Sequence, residues 1–140
     1  SIIMITTKLK DNILIVICSC ELQYERVYTI DKQALLKEIS EECSENELTS
    51  ILSQFARMGL ISHYVNNSNT IRICLLVEAS DFLARGGFYA QEELLKANIE
   101  KLSAEIDLLA KKLQPDFLEE ANRLAALGAS IVSVLAFLKS

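Results

Sequence analysis

The chain has no basic half. Of its 140 residues, 14 are lysine or arginine and 19 are aspartate or glutamate, for a net charge of −5. Residues 1–80 hold −3 (seven basic, ten acidic) and residues 81–140 hold −2 (seven basic, nine acidic). Such a balance argues against broad, non-specific affinity for phosphate backbones and leaves room only for a small local basic patch. The sequence shows neither a basic, short-apolar signal peptide nor an uncharged run as long as a membrane span needs, so a cytoplasmic location is the expectation. Zinc-type cysteine pairs, separated by two to four residues, are missing too: Cys18 and Cys20 are separated by one residue, and Cys43 and Cys74 stand alone. The four cysteines therefore read as reduced thiols acting as small hydrophobes. His63 is the one histidine and reads as a structural or solvated residue. Gly86-Gly87 lacks the third glycine, the lysine and the preceding strand that a phosphate loop requires. With no activated nucleophile and no carboxylate pair in a recognisable context, no catalytic residue, cofactor or metal ligand is expected, and the chain does not read as an enzyme.

What is present is a core. Hydrophobic residues make up 51% of the chain, ample for one packed domain with an appendage. The stretch from Ser44 to Val77 organises it. Ser44 followed by Glu47 spells a capping box, in which hydroxyl and carboxylate each satisfy an orphan backbone N–H. Leu48, Ile51, Leu52 and Phe55 recur at helical spacing, and Gly59 supplies a stop, so a helix is predicted from about Glu45 to Met58. Ile61, His63 and Val65 then alternate with Ser62 and Tyr64, and Ile71, Ile73, Leu75 and Val77 alternate with Arg72 and Cys74. These read as two strands joined at a hairpin tip of Asn66, Asn67, Ser68 and Asn69.

Upstream, residues 7–21 are ambiguous. Ile13 to Ile17 have the composition of a buried strand, but Thr6 or Thr7 can cap a helix, and Leu9, Ile13, Val16, Ile17 and Cys20 share one helical face. Helix is favoured by context: Val27 to Ile30 reads as a short strand, and Asp31 then caps a helix with Leu35, Leu36 and Ile39 on its inner side.

The order helix, strand, helix, capped helix, hairpin resembles a winged helix-turn-helix domain over roughly residues 5–77. The residues that carry it are Val27 to Asp31, the short link Glu41 to Ser44, the stop at Ala56 to Ile61, and the hairpin. The resemblance implies that the Ser44 to Met58 helix enters a DNA major groove, with the hairpin as a wing against the backbone or the minor groove. Carried over residue by residue, the DNA-contact candidates are Asn46, Thr49, Ser50, Ser53, Gln54 and Arg57 on the outward helix side, with Arg72 as the one cation on the wing strands. Glu45 and Glu47 flank them, and the wing tip carries no lysine or arginine. The alternative is a protein-interaction or assembly module on the same scaffold without DNA binding. Farther on, Phe82, Leu83, Gly86, Gly87 and Phe88 resemble the Phe-Leu-x-x-Gly-Gly-Phe signature of small uncharacterised bacterial winged-helix proteins with a C-terminal helical tail, although Leu76 and Ala79 replace that group's threonine and glycine. Gly86-Gly87 reads as a helix stop and domain hinge.

Residues 88–113 carry Leu95, Ile99, Leu102, Ile106, Leu109 and Leu113, alternating four and three apart. This is a coiled-coil-like seam, with isoleucine at one core position and leucine at the other. Pro115 breaks the pattern. A last helix repeats it with Phe117, Ala121, Leu124, Gly128, Ile131, Leu135 and Leu138, beside a ladder of small residues at Ala121, Ala125, Ala129 and Ser133 that permits close helix approach. Leu124 to Leu138 holds no charge over 15 residues, roughly 22 Å of helix against a bilayer core of ~30 Å. That is short for a span, and a helix apolar nearly all round must be buried by something. The expectation is a mainly α (α+β) chain: a winged-helix domain over 1–85, and a two-helix oligomerisation appendage over 88–140. Leu95, Ile99, Leu102, Ile106, Leu109, Leu113, Leu124, Gly128, Ile131 and Leu135 are the expected interface of a homodimer or higher oligomer. A membrane anchor is the lesser alternative.

Overall fold

The computed structural model describes residues 5–139, and for residues 135 and 137–139 the backbone alone. Leu135 and Leu138, both placed in the apolar seam above, therefore lie outside the described side chains. The described residues are mainly helical, with one small antiparallel sheet: α1 (Thr7–Ser19), β1 (Val27–Asp31), α2 (Lys32–Glu38), α3 (Glu45–Arg57), β2 (Ile61–Asn66), β3 (Thr70–Leu75), α4 (Val77–Ala84), α5 (Gly87–Leu113) and α6 (Leu118–Lys139). They form two compact units, one up to Ala90 and one from Gln91.

In the first unit, each early helix starts where a short oxygen-bearing side chain can cap it. Thr6 Oγ1 accepts from Leu9 N at 3.2 Å, and Asp31 Oδ2 accepts from Ala34 N at 2.9 Å. Both halves of the Ser44–Glu47 box form, at 3.1 and 3.2 Å. Residues 7–19 are helical despite their β-branched run, because Leu9, Ile13, Leu14 and Ile17 make one face that buries completely. Cys20, assigned to that face by spacing, is instead the exposed C-cap.

The sheet order is β1-β3-β2, so β3 is central, with Thr29 opposite Arg72 on one side and Asn66 opposite Ile71 on the other. Two strand readings need correcting. The register shifts between Ser62 and Val65, and His63 takes φ +53°, so a bulge inverts the alternation there. Tyr64 is half-buried while His63 and Val65 are exposed. Val77 is not strand: β3 ends at Leu75, and Val77 opens α4, half exposed.

The boundary expected at Gly86-Gly87 also moves. Phe88 is buried, stacks on Phe55 at 5.7 Å between centroids and meets Phe82 edge-on at 4.6 Å. The first unit therefore runs to Ala90 and includes the first residues of α5. Gly87, at φ +68°, is required twice over, since a Cβ there would be strained and would also collide with the Asp11 carboxylate. That carboxylate accepts from Phe88 N at 2.7 Å and from Tyr89 N at 3.0 Å, capping α5 from α1.

In the second unit, α5 and α6 are joined through Gln114–Phe117 and double back on one another. Ile106, Ala110 and Ala121 are buried, and a Cβ on Gly128 would lie 3.3 Å from Ile106 Cγ2. Ile99, Leu113, Leu124 and Ile131 are half-buried. Leu95, Leu102 and Leu109 remain 49%, 47% and 48% exposed. The small-residue ladder does not form the contact, for Ala125 and Ala129 are exposed, and the buried face runs through Ala121 and Gly128 at heptad spacing instead. Among the described residues no helix is long and apolar enough to cross a membrane.

Candidate nucleic-acid interface

One side of α3 is fully committed to the core through Leu48, Ile51, Leu52 and Phe55, so its other side is necessarily polar and turned outward. Asn46, Ser50 and Arg57 are exposed there, and Thr49, Ser53 and Gln54 are half-buried. A shallow open depression between α3 and β2 is lined by Thr49, Ser50, Ser53, Arg57, Tyr64 and Asn66. The structure thus brings four of the sequence candidates together in one concavity. Asn46 borders a neighbouring depression with Lys32, Glu45, Thr49 and Asn66. Gln54 and Arg72 line neither; Arg72 sits exposed on β3, opposite Val65 and Thr29.

The polar atoms are partly engaged already. Arg57 Nη1 donates to Ser53 Oγ at 2.9 Å, which extends the guanidinium along the helix. Thr49 Oγ1 donates to the Asn46 carbonyl at 3.1 Å. Tyr64 Oη donates to the Thr49 carbonyl at 3.2 Å and ties β2 to α3, and burial pushes its phenol above the ordinary tyrosine range. No known protein family, curated protein or solved structure matches this chain. What this face can do must be read from its own chemistry.

Sequence reasoning missed three residues here. Alternation alone sets Tyr64 on the face opposite Ile61 and Val65, because the bulge is invisible in such a pattern. Asn66 was assigned to the hairpin tip rather than to a wall of the depression. Lys32 followed the Asp31 cap with no sign of a role, yet it is 3% exposed and fixes three segments. Its Nζ lies 3.2 Å from Glu45 Oε1 and donates to the Ser68 carbonyl at 3.5 Å, while its backbone N–H donates to the Asn69 carbonyl at 3.0 Å. The partner Glu45 is half exposed. Nothing local encodes this: β1–β3 pairing brings the hairpin tip to the start of α2, and the packing of α2 against α3 brings Glu45 there.

The face is therefore electrically mixed. Glu45 and Glu47 in the first turn of α3 suit its positive end, and Lys32 is held by Glu45. Arg57, at the far end of the helix, is the exposed cation of the depression. The cysteines take no part in it. Burial raises the thiols of Cys18, Cys20 and Cys43 above the ordinary cysteine range, with lesser contributions from Cys20, Glu38 and Glu47 respectively, and no group of three metal-ligating side chains comes together among the described residues.

Proposed function

We infer that residues 5–77 form a winged helix-turn-helix domain that binds duplex DNA through α3, in a chain that self-associates through its C-terminal helices. The observation that carries this reading is the outward face of α3: uncovered and rich in short hydrogen-bonding side chains, it is flanked by a hairpin packed against it through Tyr64. A major groove accepts a helix with such a face, and hairpin and backbone N–H groups then meet phosphates. Self-association is supported by the leucines left half exposed along α5, which would be covered in a homodimer.

With Arg57 and Arg72 as the available cations, the electrostatic share of binding is small. Neutralising about two phosphates gives a logarithmic salt slope of roughly −2. Fluorescence anisotropy with labelled random and genomic duplexes at low salt tests this. Binding should be weak, with that shallow slope, and Arg57→Ala should cost ~1–3 kcal/mol if the guanidinium reads a base edge and less if it meets only phosphate. Absence of binding at low salt overturns the DNA reading. It would favour the second one, a protein-interaction or assembly module on the same scaffold, for which the specific observation is the acidic first turn of α3.

A further inference from the structure

Lys32 is the cation nearest the start of α3 that the DNA reading leaves unused. We propose that Lys32 is a masked phosphate contact, and that Glu45 is the carboxylate that masks it. The inference rests on the proposed DNA reading and adds a regulation of that same face. Lys32 lines the depression formed with Glu45, Asn46, Thr49 and Asn66, and it is 3% exposed. Glu45 Oε1, at 3.2 Å, occupies the position a phosphate oxygen would take against Nζ. The two sides of the pair are unequal. The lysine side chain is 4% exposed and its Nζ donates to the Ser68 carbonyl, while the backbone N–H of the same residue donates to the Asn69 carbonyl. The glutamate side chain is 46% exposed and has a free path into solvent. A ligand that displaces the carboxylate therefore meets a lysine that stays in place. Asn46, exposed on the rim, can donate its amide to the same phosphate.

The ligand class is a phosphodiester oxygen of a nucleic-acid backbone. An isolated phosphate offers the same oxygens without the further contact that a polymer makes with Arg57 at the far end of α3. The masked pair lowers the affinity of the face for any polyanion until the carboxylate moves aside, which accounts for a polar recognition face with little net positive charge.

Glu45→Gln is the test, because glutamine keeps an acceptor for Nζ and removes the negative charge. Duplex affinity should rise about tenfold and the salt slope should steepen by about one, the signature of one more phosphate contact. Lys32→Met in the Glu45→Gln background should lose both gains, and circular dichroism should show each variant folded. Inorganic phosphate at millimolar concentration should compete weakly with the duplex in Glu45→Gln. A gain that persists in the Lys32→Met/Glu45→Gln chain would report only the loss of a negative charge and would overturn the proposal. So would Glu45→Gln with wild-type affinity and slope, or no binding by either chain. If the wild type binds and Glu45→Gln gains nothing, masking fails while the DNA reading stands. Binding by Glu45→Gln alone supports masking and assigns the failure of the wild type to it.

Discussion

At the residue scale, the most consequential side chains are those whose partners are distant in sequence. Lys32 and Asp11 are examples, one meeting Ser68 and the other Phe88 and Tyr89. The thiols show the opposite case, in which burial is the main influence and nearby acidic groups add to it. A thiol whose pKa is higher in the fold than in the unfolded chain binds its proton more tightly when folded, so it stabilises the fold below the ordinary thiol range, about 8.5, and that stabilisation is lost as pH rises through the folded values. Cys18, Cys20, Cys43 and Tyr64 all shift in this direction. Urea unfolding followed by circular dichroism should therefore give a lower midpoint at pH 9.5 than at pH 7.5, and replacing Cys18, Cys20 and Cys43 with serine should flatten part of that difference. An equal midpoint at the two pH values would contradict the burial argument.

At the element scale, the start of α5 is the informative join. A helix leaves its first N–H groups without partners, and here α5 obtains them from Asp11 on α1, across a long stretch of chain. Gly87 follows from that arrangement, since the carboxylate occupies the space a Cβ there would need. Gly87→Ala should cost about 1–3 kcal/mol through the left-handed φ and the displaced carboxylate. Asp11→Ala should cost about 0.5–2 kcal/mol, as loss of an N-cap does. Combined, the two changes should cost less than their sum, because both disrupt the same cap. Thermal unfolding of the four chains measures this, and strict additivity would show that glycine and carboxylate act separately. Capping from within the local sequence, as at Ser44, was legible beforehand. Capping from α1 was not, because no spacing rule connects Asp11 to Phe88.

At the scale of the whole molecule, the first compact unit ends at Ala90, beyond the glycine pair. Phe88 completes an aromatic cluster with Phe55 and Phe82, so a chain cut after Arg85 loses a core residue as well as a tail. Such a fragment should be less stable than one ending at Ala97 by about 3–5 kcal/mol, the usual cost of emptying a buried phenylalanine site. Chemical denaturation of the two fragments checks it, and equal stability would mean that Phe88 only rests on the surface. The seam in the second unit divides on the same principle. Heptad spacing marks both Ile106 and Leu102 as apolar, but only the packing of α6 against α5 selects Ile106 for burial within the chain and leaves Leu102 half exposed.

Much of the fold follows from interactions short enough to be written in the sequence. The caps at Thr6, Asp31 and Ser44, the apolar face of α3 and the break at Pro115 each depend on residues within about one helical turn, so their energetics are set before the chain folds. The outward candidates Asn46, Ser50, Ser53 and Arg57 follow from the same periodicity, because burying one face of a helix defines the other. The bulge that turns Tyr64 inward, the Lys32–Glu45 pair, the Asp11 cap and the placement of Phe88 in the core required the tertiary structure. Each joins residues whose proximity is created by strand pairing and core packing, and the free energy of such a contact depends on the position of a partner that local sequence does not specify.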